Sequence, residues 1–202
     1  MGTKELRGRD NWQTQSGPAG KSGGAEDIFS RVFQEYFVNS SFSIIGKPRD
    51  FINIYKNANL PESLDKTIYH PENGYGTHGI IPDYAIRNAS SGKTLYVEVK
   101  RQDGWVEGKP QSAGRGNAHE RGCKYFTPGL MKILRERSHI SPEIYPFWLV
   151  YIGDITRDPK RVREIITWFG NPFSPNFFFW QNTRDAGSII AHFERQLKPY
   201  LL

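Results

Sequence analysis

The run Thr94-Leu95-Tyr96-Val97-Glu98-Val99-Lys100 constrains this chain more than any other feature. Its apolar side chains recur with a period of two, the period of a half-buried strand. Leu95, Val97 and Val99 fall on one face, and Tyr96, Glu98 and Lys100 on the other. Upstream, Ile80 to Arg87 reads as a second strand with Pro82 near its start. Between the two, Ala89-Ser90-Ser91-Gly92 has the composition of a hairpin loop. Pairing Asn88 with Lys93 sets Asp83 directly opposite Glu98, where cross-strand Cβ atoms lie about 4.5–5.5 Å apart. Two carboxylates that close repel unless they share a proton or a cation. Lys100 projects from the same face. Oxygen ligands for a divalent cation beside an ammonium group are what metal-assisted phosphodiester hydrolysis needs. An ordinary amphipathic hairpin with a solvated polar face carries the same pattern, and the hairpin alone does not choose between the two.

Context separates Glu98 from look-alikes. The triplets Glu107-Gly108-Lys109 and Asp158-Pro159-Lys160 share its acidic-x-Lys form. Glycine or proline interrupts each, so neither belongs to a strand pattern. With Cys123 as the only cysteine, an intramolecular disulfide and a cysteine-based zinc site are excluded. His70, His78, His119, His139 and His192 show no ligand spacing and read as surface or supporting residues. No stretch has the length of a membrane span and the N-terminus carries no signal-peptide pattern, so a cytoplasmic location is expected. The net charge of +6 is compatible with nucleic acid, and its distribution says more. Lys100, Arg101, Lys109, Arg115, Arg121 and Lys124 follow the carboxylate pair closely, while Arg157, Lys160, Arg161 and Arg163 have the look of a solvated helix start.

Residues 1–24 are rich in glycine, carry Lys4, Arg7 and Arg9, and lack apolar periodicity; they are expected to form a flexible basic arm. Residues 25–202 are expected to form a single domain. Ile28, Phe29, Val32, Phe33, Tyr36 and Phe37 make a helical stripe between Ala25 and Val38. Asp103 to Gly116 is a glycine-rich loop directly after the carboxylate strand, of the kind that carries function. The pattern then predicts a helix over about 117–125 and a second from Thr127-Pro128 to Arg137. A central apolar strand follows over 144–152, then a helix from Asp158-Pro159 to Phe169. A short aromatic strand over 176–181 and a final helix over 185–197 complete the chain. The aromatic run Phe177, Phe178, Phe179 and Trp180 fits either core or interface. This order is that of an α/β domain with a central mixed sheet flanked by helices.

The segment Arg115-Gly116-Asn117-Ala118-His119-Glu120-Arg121 carries a second kind of chemistry. Glycine lets the backbone approach another surface, asparagine matches the adenine N6/N7 edge, and arginine matches guanine O6/N7. A helix start with Asn117 as its cap and Glu120 as capping-box partner fits the same letters.

Taken together, the two segments resemble the EcoRI-like type II restriction endonucleases of the PD-(D/E)xK superfamily. The likeness rests on Pro82-Asp83, on Glu98-Val99-Lys100, and on the Gly116-Asn117-Ala118-x-Glu120-Arg121 string downstream. It covers about Ile81 to Arg121. It implies a restriction-endonuclease-like core and a homodimer. The implied activity is Mg²⁺-dependent hydrolysis of double-stranded DNA at a palindromic site with an inner AATT, CAATTG by the resemblance, leaving 5′ overhangs. A cognate DNA methyltransferase would belong to the same restriction-modification system as a functional partner, without physical contact. Asp83, Glu98 and Lys100 become the catalytic residues. Asp83 and Glu98 are the Mg²⁺ ligands, with the Val97 or Val99 carbonyl available to complete the site, and Lys100 faces the phosphate and the attacking water. Arg115, Gly116, Asn117, Ala118, Glu120 and Arg121 become the DNA-reading set. Asn117 and Arg121 are assigned to the inner adenines, and Glu120 to orienting arginine, across the dimer or within it. Arg115 stands where the EcoRI pattern has a small residue and is the candidate for the guanine of the outer pair. Two rival readings keep the composition and drop the specificity: a repair or recombination nuclease that reads DNA structure on the same core, and a basic binding module without activity.

Overall fold

The computed structural model describes residues 23–56, 58–74, 76–102 and 119–202. Among them, β1 (Phe42–Gly46), β2 (Tyr84–Asn88), β3 (Thr94–Arg101), β4 (Phe147–Ile152) and β5 (Phe177–Trp180) form one sheet in that spatial order. β1, β2 and β3 pair antiparallel, and β3, β4 and β5 pair parallel. The sheet is therefore mixed, with helices on both faces, as the element order predicts.

Each face is sealed by helices whose apolar residues recur at helical spacing. On one side lies α1 (Gly23–Tyr36), which presents Phe29 and Phe33, with Phe37 directly after it. The C-terminal helices α5 (Ala186–His192) and α6 (Lys198–Leu201), joined by a π-turn over Phe193–Leu197, add Ile189, Phe193, Leu197 and Leu201. These residues cover Leu95, Val97 and Val99 of β3 and Trp148, Val150 and Ile152 of β4. On the other side, α3 (Pro128–Ser138) sets Leu130 and Leu134 against Tyr96, Phe147, Leu149 and Tyr151. There α4 (Pro159–Phe169) adds Ile165 and Phe169. Burying an aliphatic or aromatic side chain of this size contributes about 1.5–3 kcal/mol. These two layers thus decide the fold, with α2 (Glu62–Asp65) a single short turn outside them.

The β2–β3 register is the expected one. Tyr84 faces Val97, Ala85 faces Tyr96, Ile86 faces Leu95 and Arg87 faces Thr94, while Asn88 N–H donates to the Lys93 carbonyl at 3.0 Å. One open alternative is decided, one strand boundary is corrected and one strand is added. The polar face of β3 is not solvated: Thr94 through Val99 are all buried, because α3 and the turn before it cover that face too. The second strand starts at Tyr84 rather than Ile80. Pro82 has no N–H to give a ladder, and Ile80 N–H is taken by the Phe51 carbonyl at 3.1 Å. Between Tyr36 and the hairpin, β1 forms an edge strand that the sequence pattern does not mark.

Smaller differences follow local chemistry. Helix α1 begins at Gly23, inside the segment assigned to the arm; residues 1–22 lie outside the described ones. The stretch expected as a helix over 117–125 is a 3-10 helix over Glu120–Phe126. Thr127 precedes Pro128 as expected, but its hydroxyl donates back to the Lys124 carbonyl at 2.8 Å instead of capping α3. Asp158, in one of the look-alike triplets, caps α4 by accepting from Lys160 N–H at 3.1 Å. In β5, Phe178 packs into the first core and Phe177 and Phe179 into the second, with Trp180 buried.

Candidate active site

Asp83 is where β2 leaves β3. Its backbone carbonyl still accepts from Lys47 N–H at 2.9 Å, extending the β1 pairing by one residue. Its side chain turns the other way, and Oδ2 accepts the Val99 N–H at 2.9 Å. A carboxylate thus substitutes for a ladder carbonyl, and the two strands part with Asp83 held between them. Glu98 and Lys100 extend from β3 at that divergence. Asp83 and Glu98 are only 8% and 6% exposed, so neither charge is relieved by bulk water.

Each of their four oxygens has a donor. Lys47 Nζ donates to Asp83 Oδ1 at 2.7 Å, and Val99 N–H to Oδ2. Lys100 Nζ donates to Glu98 Oε1 at 2.5 Å and lies 4.0 Å from Asp83 Oδ2. Tyr125 Oη donates to Glu98 Oε2 at 2.9 Å. The structure therefore brings together the three residues singled out by the hairpin, Asp83, Glu98 and Lys100. It adds Lys47, Tyr125 and Glu26 of α1, whose Oε2 is 3.3 Å from Lys47 Nζ. No sequence pattern ties these three to the hairpin, since the contacts cross between separate elements.

The electrostatics follow from this crowding. Burial works against the charge of Lys47, but the hydrogen bond to Asp83 and the charges of Asp83 and Glu26 outweigh it and hold its pKa above the ordinary lysine value. Burial raises the Glu26 carboxyl and the Asp83 charge adds to it, with Lys47 partly offsetting both. Burial, then the Glu98 charge, pushes the Tyr125 phenol far above its usual range, so Tyr125 remains a donor at any working pH. Tyr84 donates to the Glu26 carbonyl at 2.9 Å, and burial with the Glu26 charge takes its pKa to about 12.

Among the described residues, no group of three or more His, Cys, Asp or Glu could hold a metal ion. Two buried carboxylates with hard oxygen donors remain. They suit Mg²⁺, which keeps several waters and takes one or two protein carboxylates alongside substrate phosphate.

Of the expected reading set, Arg115, Gly116, Asn117 and Ala118 lie outside the described residues, and so does the capping box that Asn117 would form. Glu120 and Arg121 open the 3-10 segment and are exposed. That segment is held to the carboxylate site by Tyr125, and it lies tightly on β4: a Cβ at Gly122 would stand 2.8 Å from Leu149 Cδ1. His119, directly before it, is fully buried. It contacts Gln102 Oε1 through Nδ1 at 3.3 Å and Glu164 Oε2 through Nε2 at 3.0 Å, and its ring stacks on Trp168. Arg161 Nη1 donates to the same Glu164 oxygen at 2.8 Å. Burial lowers the His119 pKa, with Glu164 opposing the shift. His119 thus ties the start of the 3-10 segment to Gln102, Glu164 and Trp168.

Comparison with known proteins carries this further. A family model described as "Type II restriction enzyme MunI" matches residues 1–202. The curated type II restriction enzyme MunI from Mycoplasma sp is 47% identical over 204 residues, spanning 100% of both chains. A crystal structure of MunI restriction endonuclease in complex with cognate DNA superposes with a TM-score of 0.79 at 44% identity, covering 95% of this chain and 98% of that one. The chain belongs to the MunI family of type II restriction enzymes.

Proposed function

We propose that this enzyme hydrolyses double-stranded DNA with Mg²⁺ at a palindromic site containing an inner AATT, CAATTG by likeness to its family, and leaves 5′ overhangs. The observation that carries the reading is the convergence of Asp83, Glu98 and Lys100 where β2 and β3 part. Asp83 and Glu98 are the Mg²⁺ ligands. The bound ion supplies charge neutralisation at the phosphoryl oxygens and a more acidic water. Lys100, fixed by Glu98, stabilises negative charge on the phosphate and orients the attacking water. Tyr125 holds Glu98 in place. The likeness to a protein solved with its cognate DNA supports duplex DNA as the substrate here.

Arg115, Gly116, Asn117, Ala118, Glu120 and Arg121 form the proposed reading set. In it Arg115 takes the guanine of the outer pair, Asn117 and Arg121 take the inner adenines, and Glu120 orients arginine. The palindromic site implies a homodimer, with two copies of Asp83, Glu98 and Lys100 facing the two strands. Residues 25–202 act as one catalytic and reading domain, with residues 1–24 as a basic arm. The enzyme works in the cytoplasm alongside a methyltransferase of the same specificity, and no described helix is long and apolar enough to cross a membrane.

The test is digestion of plasmid DNA by the full chain with Mg²⁺ or with EDTA, followed by sequencing of the fragment ends. The expected result is discrete Mg²⁺-dependent fragments with 5′ AATT extensions, lost in Asp83→Ala. Nicks at junctions or flaps would point to a structure-reading nuclease. Binding without any cleavage would point to a non-catalytic module.

A further inference from the structure

Lys47 is docked on Asp83 twice, by its backbone N–H at 2.9 Å and by Nζ at 2.7 Å. It follows the last residue of β1 and adopts a left-handed backbone with φ of 47°. Its ammonium lies between two carboxylates, Asp83 Oδ1 and, 3.3 Å away, Glu26 Oε2. The α1 helix is fixed there by the hydrogen bond from Tyr84 to the Glu26 carbonyl. The side chains differ in freedom: that of Lys47 is 59% exposed, that of Glu26 29% and that of Asp83 11%.

We infer that Lys47 is a displaceable counter-ion of the metal site: its ammonium, docked on Asp83 Oδ1, competes with a divalent cation for that oxygen, and Glu26 can retain it alongside when it leaves. The inference rests on Asp83 and Glu98 being the metal ligands. Asp83 Oδ2 is held by the fixed backbone N–H of Val99, whereas the donor on Oδ1 is a side chain that can swing away, so Oδ1 is the oxygen that can be cleared for an incoming ion. The cation already there is a compact ammonium on a flexible stem, open to solvent and provided with a second carboxylate. Lys100 is built for the other task. Its side chain is 14% exposed and bound to Glu98, so it stays in place for the phosphate. The two lysines leave the three carboxylates with one net negative charge, which limits their mutual repulsion. Competition for Oδ1 lowers the apparent metal affinity by the fraction of enzyme in which Lys47 occupies it.

The experiment is Mn²⁺ binding to the DNA-free full chain, read from the electron paramagnetic resonance of the free ion. Lys47→Met should bind Mn²⁺ roughly two- to fivefold more tightly, the scale of a half-exposed ion pair. Lys47→Arg keeps the charge and should stay near wild type. Glu26→Gln deprives Lys47 of its second carboxylate and should bind Mn²⁺ more weakly. A gain of affinity in one variant and a loss in the other is a pattern that damaged packing does not produce. Binding by Lys47→Met equal to or weaker than wild type overturns the counter-ion role. So does unchanged or tighter binding by Glu26→Gln, which keeps the measurement decisive should Lys47→Met fold poorly. Asp83→Asn separates the two levels: wild-type Mn²⁺ binding in that variant overturns the metal-site reading itself.

Discussion

Replacing Tyr125 with phenylalanine removes one oxygen atom and one hydrogen bond. Tyr125 is 1% exposed, and its hydroxyl donates to Glu98 Oε2 at 2.9 Å. The ring itself packs against Phe147 with centroids 5.1 Å apart, and that contact survives the change. A hydrogen bond to a charged acceptor contributes about 1.5–3 kcal/mol, and Glu98, 6% exposed, has little water to replace it. For a chain of this size 1 kcal/mol moves the melting temperature by about 2–4 °C, so Tyr125→Phe should melt roughly 3–12 °C lower. With Glu98 as the proposed metal ligand, cleavage at saturating Mg²⁺ should fall about 10–100-fold, the usual cost of losing a group that orients such a ligand. Tyr151 supplies the control. It lies across the β3–β4 ladder from Lys100, and its buried hydroxyl finds no protein partner among the described residues. Tyr151→Phe should therefore stay within about 1 kcal/mol of wild type. Differential scanning calorimetry in EDTA and single-turnover cleavage of a duplex oligonucleotide measure both effects. Equal melting temperatures for the two variants would refute the reasoning, because they would mean that the Tyr125–Glu98 bond contributes nothing beyond a buried hydroxyl.

Three further outcomes are expected. Tyr84 and Tyr96 stand near about 12 in the folded chain, raised chiefly by burial, against about 10 when unfolded. Their contribution to stability is fully present below about pH 10 and is lost as pH climbs toward their folded values, so urea midpoints should begin to fall above about pH 10; a flat profile would argue against their burial. Asn176 accepts from Tyr145 N–H and donates to the Tyr145 and Phe147 carbonyls; Asn176→Ala strands all three groups and should cost about 2–5 kcal/mol in chemical denaturation. Arg115→Ala should lose about 1–3 kcal/mol of discrimination at the outer base pair while the inner pairs stay selective. A uniform loss across all duplexes would make Arg115 a phosphate contact instead.

The hairpin was legible because its information is local. The loop composition, the pairing of Asn88 with Lys93 and the alternation along β3 together set the register from Arg87–Thr94 to Tyr84–Val97; the ladder ends one step short of Asp83 and Glu98, where the strands part. Alternation also sorted the two faces of β3 correctly, but it could not say what covers each. Glu98 meets Tyr125 across 27 positions of sequence, so the polar side of the strand is a buried one. The edge strand β1 escaped notice because it is short, pairs on one side only, and has no strict alternation of burial. With it went Lys47, whose contact with Asp83 spans 36 positions and leaves no periodic trace. Glu26 sits in the first turn of α1, three residues before Phe29, where an apolar stripe does not mark it.

The 3-10 turn from Glu120 to Phe126 has a bearing on retargeting the enzyme. Its first residues, Glu120 and Arg121, belong to the proposed reading set, and its sixth, Tyr125, grips Glu98. Seven residues of tight backbone, with Gly122 pressed on Leu149, leave little slack between the two ends. On the proposed assignment, recognition and scission share one short lever, so a graft that swaps the reading letters should also shift the grip on Glu98. A successful change of target should keep Gly122 and Tyr125 and vary only what precedes them. Relaxed or idle variants would be the natural yield of libraries that ignore this linkage.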